Sequence, residues 1–164
     1  MSRRRSGPRD PGDGSLWRRL VSYPHLEAAC RLARRGKHLQ PAPAAFDLDR
    51  EKELWALHEE LSSQTYRPGP YRTFVVTDSK RRMISAAPFR DRVAHHALTS
   101  ILEPIFEPKF IFDSYACRQG KGTHAAVRRF QHFARAFPYV LRGDIRKYFP
   151  SIDWEILLAR LARH

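Results

Sequence analysis

A chain of 164 residues with 42% apolar and 29% charged side chains has the size and balance of a soluble globular domain with a real core. Its 30 Lys and Arg against 17 Asp and Glu leave a formal net charge of +13. That favours a polyanionic partner through counterion release and leaves ribosomal proteins, repressors and polymerases equally admissible. Two cysteines far apart, Cys30 and Cys117, exclude a disulfide framework or a zinc spacing and fit packed thiols in a reducing cytoplasm. No apolar run approaches the roughly 20 residues of a membrane span.

Residues 1–15 (MSRRRSGPRDPGDGS) lack the apolar stretch of a signal peptide and read as a disordered basic lead-in. A helix is expected over 16–35, where Leu20, His25, Ala28, Ala29 and Leu32 alternate with arginines and Gly36 is the stop. Residues 40–45 (QPAPAA) read as a linker, with Asp47 or Asp49 capping a helix whose buried face carries Leu54, Leu57 and Leu61. Residues 16–65 thus make a helical N-terminal extension. The Pro-Gly-Pro at 68–70 is a turn, 71–77 a strand, 78–81 a hydrophilic turn and 82–85 the returning strand. After Pro88 a helix carries Val93, Ala97, Leu98 and Ile101 and ends or bends at Glu103-Pro104.

An aromatic segment at 110–115 leads into a basic glycine loop at 117–122. A helix follows to about residue 137, with Ala126, Phe130, Phe133 and Phe137 on one face. Residues 139–145 read as a strand entering the core. Asp153 caps a last helix whose expected buried stripe is Trp154, Leu157, Leu158 and Leu161. Helices mixed with a hairpin and one isolated strand point to an α+β fold. A lone hydrophobic strand needs neighbours to pair its backbone, so the fold is expected to continue past residue 164.

Asp144 ends that apolar strand and precedes a tight turn with two aromatics. Its carboxylate either caps the turn or projects from the sheet edge to hold a hard cation such as Mg²⁺. Residues 144–153 (DIRKYFPSID) closely resemble the first catalytic motif of bacterial reverse transcriptases of the retron, group II intron and diversity-generating retroelement types. Upstream, residues 79–85 (SKRRMIS) are similar to the basic fingers hairpin of that family, and 88–98 (PFRDRVAHHAL) to its next motif. Residues 112–124 (FDSYACRQGKGTH) resemble the one after. Four motifs in order are more specific than any one of them.

The resemblance implies the fingers (66–138) and the start of the palm (139–164) of a right-hand polymerase, an RNA-directed DNA polymerase cut after its first catalytic motif. It implies Asp144 as the catalytic carboxylate and a ligand of two Mg²⁺ ions, with the Ile145 carbonyl helping to hold the second. Phe149 takes the place of the aromatic that packs beneath the sugar. Arg82, with Lys80 second, is the candidate for the dNTP triphosphate, since a guanidinium fork matches phosphate oxygens. Arg81, out of phase on the strand, points away. Arg90 and Arg92 serve either the RNA template or hydrogen bonds within the fingers. Adjacent His95 and His96 point about 100° apart on a helix and make a poor metal pair. Arg118 and Gly120 either approach the template backbone or form a plain turn.

Implied partners are an RNA template, a DNA primer and dNTP, with no membrane. The chain contains no Asp-Asp dipeptide, whereas the family completes its metal site with an aromatic-x-Asp-Asp motif. The expectation is therefore split between a polymerase whose activity needs further residues and a catalytically inactive basic RNA-binding remnant. A sequence-specific DNA-binding regulator is the weaker third class, because no helix-turn-helix spacing is present.

Overall fold

Proline and glycine placement sets the helix boundaries of the first hundred residues. In the computed structural model, which describes residues 14–37, 39–78 and 81–163, the helix expected over 16–35 is two helices. These are α1 (Ser15–Val21) and α2 (Tyr23–Arg34), parted at Ser22, whose backbone is extended at φ −61°, ψ 137°. Pro24 in the first turn of α2 has no N–H to give to a continuous helix and clashes with the preceding turn, so the break falls just before it. Gly36, at φ 70°, turns the chain after α2.

The expected linker at 40–45 is instead the start of α3 (Pro41–Leu48). Pro41 occupies the first helical position, where a missing N–H costs nothing and a fixed φ favours the helix. Asp47 does not cap the next helix, α4 (Arg50–Ser62). Its carboxylate pairs with Arg34 at 2.8 Å, while Asp49 holds the cap position without a side-chain bond.

Strands β1 (Arg72–Thr77) and β2 (Arg81–Ala86) form an antiparallel hairpin, in register from Arg72 opposite Ala86 to Thr77 opposite Arg81. Helix α5 (Phe89–Phe106) runs through Pro104 rather than ending there. The chain divides into two compact units at that point, Met1–Glu103 and Pro104–His164.

The core of the first unit joins Leu26, Ala29, Cys30 and Ala33 of α2, Phe46 of α3, Leu54 and Leu57 of α4, and Phe89, Val93 and Ala97 of α5. Leu61 packs at its margin, as its i+7 spacing from Leu54 implies. Leu98 departs from the expected stripe: one residue past Ala97 it turns about 100° away and is 45% exposed. Two histidines bridge helices, His25 Nε2 donating to the Ala97 carbonyl at 3.0 Å and His58 Nδ1 to that of Val21 at 2.6 Å. Cys30 is buried, and burial first, then the nearby Asp47 charge, pushes its thiol pKa up. Cys117 is exposed rather than packed.

The second unit holds a 3₁₀ turn (Glu107–Lys109), α6 (Thr123–Ala136), a second 3₁₀ turn (Phe149–Ser151) and α7 (Trp154–Leu161). Residues 139–145 are not a strand. Tyr139 and Leu141 stand almost fully exposed, and among the described residues the sole sheet is the β1–β2 hairpin. A β-prone segment has no strand geometry of its own without a partner to complete its hydrogen bonds. The expected buried stripes of α6 and α7 are only partly covered: Phe130, Phe133, Phe137, Trp154 and Leu158 are exposed, while Ala126, Leu157 and Leu161 are half-buried. Asp153 does cap α7, accepting from the Glu155 N–H at 2.9 Å and the Ile156 N–H at 3.1 Å. No helix among the described residues is long and apolar enough to cross a membrane.

Candidate nucleic-acid interface

In the first unit the cations expected to meet nucleotide or template lie on the hairpin and in the first turn of α5. Arg82 lies opposite Val76 on β2 and is exposed; neither it nor Arg81 has an ion-pair partner among the described residues. Successive strand residues face opposite sides, so the two arginines serve opposite faces of the hairpin. Lys80 lies outside the described residues.

Arg90 turns inward. It pairs with Glu60 at 2.8 Å and Glu53 at 3.6 Å, and its guanidinium lies 5.8 Å from the Tyr66 ring centre. Of the two roles open to it, the structure shows the internal one. Arg92 sits 5.3 Å from the Phe89 ring centre, and its Nε is buried without a hydrogen-bond partner. It lines a hollow of about 530 Å³ together with Arg72, Phe74 and Pro88. His95 and His96 are both exposed on α5. Partial burial first, then the positive charges of Lys37, His95 and Arg92, hold the His96 pKa below its usual value.

Between these arginines lies a group that pattern reading missed. Asp91 is the one buried charged residue of the described core. Its Oδ1 accepts from the Tyr66 hydroxyl at 2.6 Å and its Oδ2 from the Gly69 N–H at 2.8 Å. A Cβ on Gly69 would meet Pro88 Cγ at 3.0 Å and Asp91 Oδ2 at 3.5 Å, so a larger residue there would press on the Pro88 ring. Burial, and then Asp91 accepting the hydroxyl proton, raises the Tyr66 pKa above its ordinary value. The available signal was a carboxylate in the first turn of a helix preceded by a Tyr-x-Pro-Gly turn. Nothing in that spacing shows that the two meet.

In the second unit Arg118 is committed inside the loop. Its Nε donates to Glu107 Oε1 at 2.8 Å, and its terminal nitrogens donate to the carbonyls of Ile111 at 2.8 Å, Ser114 at 3.3 Å and Glu107 at 3.3 Å. This guanidinium organises the turn from α5 towards α6. Gly120 has φ 71°, with nothing within 4 Å of an added Cβ. The left-handed turn, and not a close approach from within the chain, requires glycine there.

Asp144 is exposed, in irregular backbone just before a turn through Lys147 at φ 52°. Neither a hydrogen bond nor an ion pair holds its carboxylate among the described residues. Ile145 follows it, exposed, and Phe149 is 78% exposed with its ring edge-on to Tyr148 at 5.2 Å. Asp144, Ile145 and Phe149 thus share one segment of the second unit, while Arg82 belongs to the first.

No family model matches the chain. It is 30% identical over 118 residues to Protein YkfC of Escherichia coli, covering 68% of this chain and 31% of that protein. It is 27% identical over 111 residues to the group II intron-encoded protein LtrA of Lactococcus lactis, covering 66% of this chain and 18% of the relative. Nuclear intron maturase 1 of Arabidopsis thaliana is 30% identical over 70 residues, 43% of this chain and 10% of the relative. The chain is therefore related over part of its length to group II intron-encoded proteins and intron maturases, a reverse-transcriptase-related group. It spans 31% or less of the length of each of these relatives.

Proposed function

We propose that this chain is the fingers and first palm motif of an RNA-directed DNA polymerase of the retroelement class, which adds a nucleotide from dNTP to a primer 3′-hydroxyl on an RNA template. The observation that carries the reading is the order of four motifs at 79–85, 88–98, 112–124 and 144–153. The group II intron-encoded protein and the intron maturase among the relatives support its reverse-transcriptase-related part. In this reading Arg82, with Lys80, binds the triphosphate, Phe149 supports the sugar, and Asp144 with the Ile145 carbonyl offers oxygens to Mg²⁺. Arg92 and the exposed cations of the hairpin meet the template.

The free Asp144 carboxylate suits a hard cation. The described residues, however, contain no group of three or more His, Cys, Asp or Glu able to hold a metal. One carboxylate and one carbonyl do not fix two ions at the separation nucleotidyl transfer needs, so these residues fit part of a metal site. When bound, the two ions activate the primer hydroxyl and neutralise the triphosphate. The residues of this chain bind and orient, and no chemical step is derived from them alone. Primer extension with Mg²⁺ on an RNA template is expected to give no product from residues 1–164. A protein that also carries an aromatic-x-Asp-Asp motif, encoded downstream in frame, is expected to give product that Asp144→Asn abolishes. Robust Asp144-dependent synthesis by the 164 residues, or synthesis by the longer protein that survives the substitution, counts against the assignment.

A second reading, an inactive RNA-binding remnant, is favoured by the lone carboxylate within a chain of net charge +13. A stop codon directly after codon 164, with RNA binding and no synthesis, is the result that selects it.

A further inference from the structure

The loop before α6 and the first turns of that helix gather rings and cations to which no individual role is given above. Phe112, Tyr115, Lys121, Arg128, Arg129 and His132 line an open hollow of about 380 Å³ in the second unit. The Phe112 ring is 70% exposed. Lys121 Nζ lies 3.9 Å from its centre and 5.0 Å from that of Tyr115, and donates a hydrogen bond to the Phe112 carbonyl. The Arg129 guanidinium is 4.4 Å from the Phe133 ring centre and 5.6 Å from that of Phe112.

One carboxylate orders the group. Asp113 takes both oxygens to Arg129, at 2.8 and 3.2 Å, and accepts from the Tyr115 hydroxyl at 2.9 Å. The Arg129 and Tyr115 hydrogen bonds hold the Asp113 carboxyl below the usual carboxylate range. Its charge is spent on fixing its neighbours. Arg128 is exposed and has no ion-pair partner among the described residues, and His132 is exposed beside it. What remains is an exposed ring with Lys121 over one face, where Lys121 shares the Asp113 charge with Arg129, and Arg128 beside it without an ion-pair partner among the described residues.

We infer that this hollow is a binding site for single-stranded nucleic acid, in which one unstacked base lies on Phe112 and its flanking phosphates meet Arg128 and Lys121. Ring faces accept any base, and a cation beside a ring is placed for the phosphate of the nucleotide stacked there. A paired base keeps its face within the duplex stack, so the site selects single strands. A second copy of this chain fits poorly, because a two-fold contact would set Arg128 and Lys121 against like charges. The inference rests on the polymerase reading for its single-stranded ligand, since the hollow lies in the 112–124 motif and Gly120 also lines it. It uses no metal ligand, so a null result at Phe112 leaves the assignment of Asp144 standing.

The test measures fluorescence anisotropy of the full chain with labelled single-stranded RNA, single-stranded DNA of the same sequence, the matching duplex, and heparin as a polyanion without bases. Phe112→Leu keeps apolar bulk and removes the ring. It is expected to weaken single-strand binding by about 5- to 100-fold while leaving heparin unchanged. Phe112→Tyr is expected to retain wild-type affinity. Arg128→Ala should weaken strand and heparin alike and lower the salt slope by about 0.7. A Phe112→Leu effect on both single strands, or on RNA or DNA alone, supports the site and names its natural strand. Single-strand affinity untouched by Phe112→Leu overturns it, and so does a parallel loss of heparin or a stronger effect on duplex. Loss of self-association alone, read by sedimentation, also overturns it and assigns the face to a contact between copies.

Discussion

Tyr66, Gly69 and Asp91 show how a few atoms tie the turn at 66–70 to α5. The carboxylate is buried, so its two donors replace the water it gave up, and Arg90 beside it is drawn to Glu60 and the Tyr66 ring. Tyr66→Phe removes one donor and is expected to cost about 1–2 kcal/mol at neutral pH, read by urea unfolding. The pH dependence has a definite sign. The folded chain keeps the Tyr66 proton more tightly than the unfolded one, so this stability is complete below the ordinary value of 10.0 and is lost as pH rises beyond it. The gap between wild type and Tyr66→Phe should therefore narrow between pH 9 and pH 11. A constant gap would refute the linkage.

At the scale of elements, local chemistry decided some boundaries and pairing decided others. The α7 cap was legible because an N-cap needs only the aspartate and the next few N–H groups. Asp153→Ala should cost about 1 kcal/mol and speed amide exchange in the first turn of α7. Helix α6, which starts at Gly122 without a side-chain cap, should be unchanged in the same experiment. If α7 exchange stays as in wild type, the cap has no energetic role. Residues 139–145 carry as clear a strand pattern as β1 but lie unpaired. Strand propensity describes a pleated surface awaiting a neighbour, and β1 has one that begins four residues beyond its end. The linker expected at 40–45 misjudged proline, which breaks a helix in its interior and starts one at its first turn.

For the whole molecule the charge of +13 makes one demand independent of any site. RNA binding should fall linearly on a log–log plot against salt, by about 0.7 per phosphate contact for a single strand. Affinity unchanged between low and high salt would remove the electrostatic basis of both functional readings. Charge, motif order and the α4 face of Leu54, Leu57 and Leu61 were legible in the sequence itself, because each depends on residue identity and short spacing. Leu32 and Leu98, by contrast, were expected on buried faces and stand exposed. Tertiary structure alone decided that Arg90 and Arg118 turn inward and that Asp91 is buried against Tyr66. It also decided that Asp113 pairs with Arg129 and that Lys121 lies over the exposed Phe112 ring. The partners of a side chain lie across loops of any length, and which cation remains free is settled when the carboxylates have been shared out among the rest.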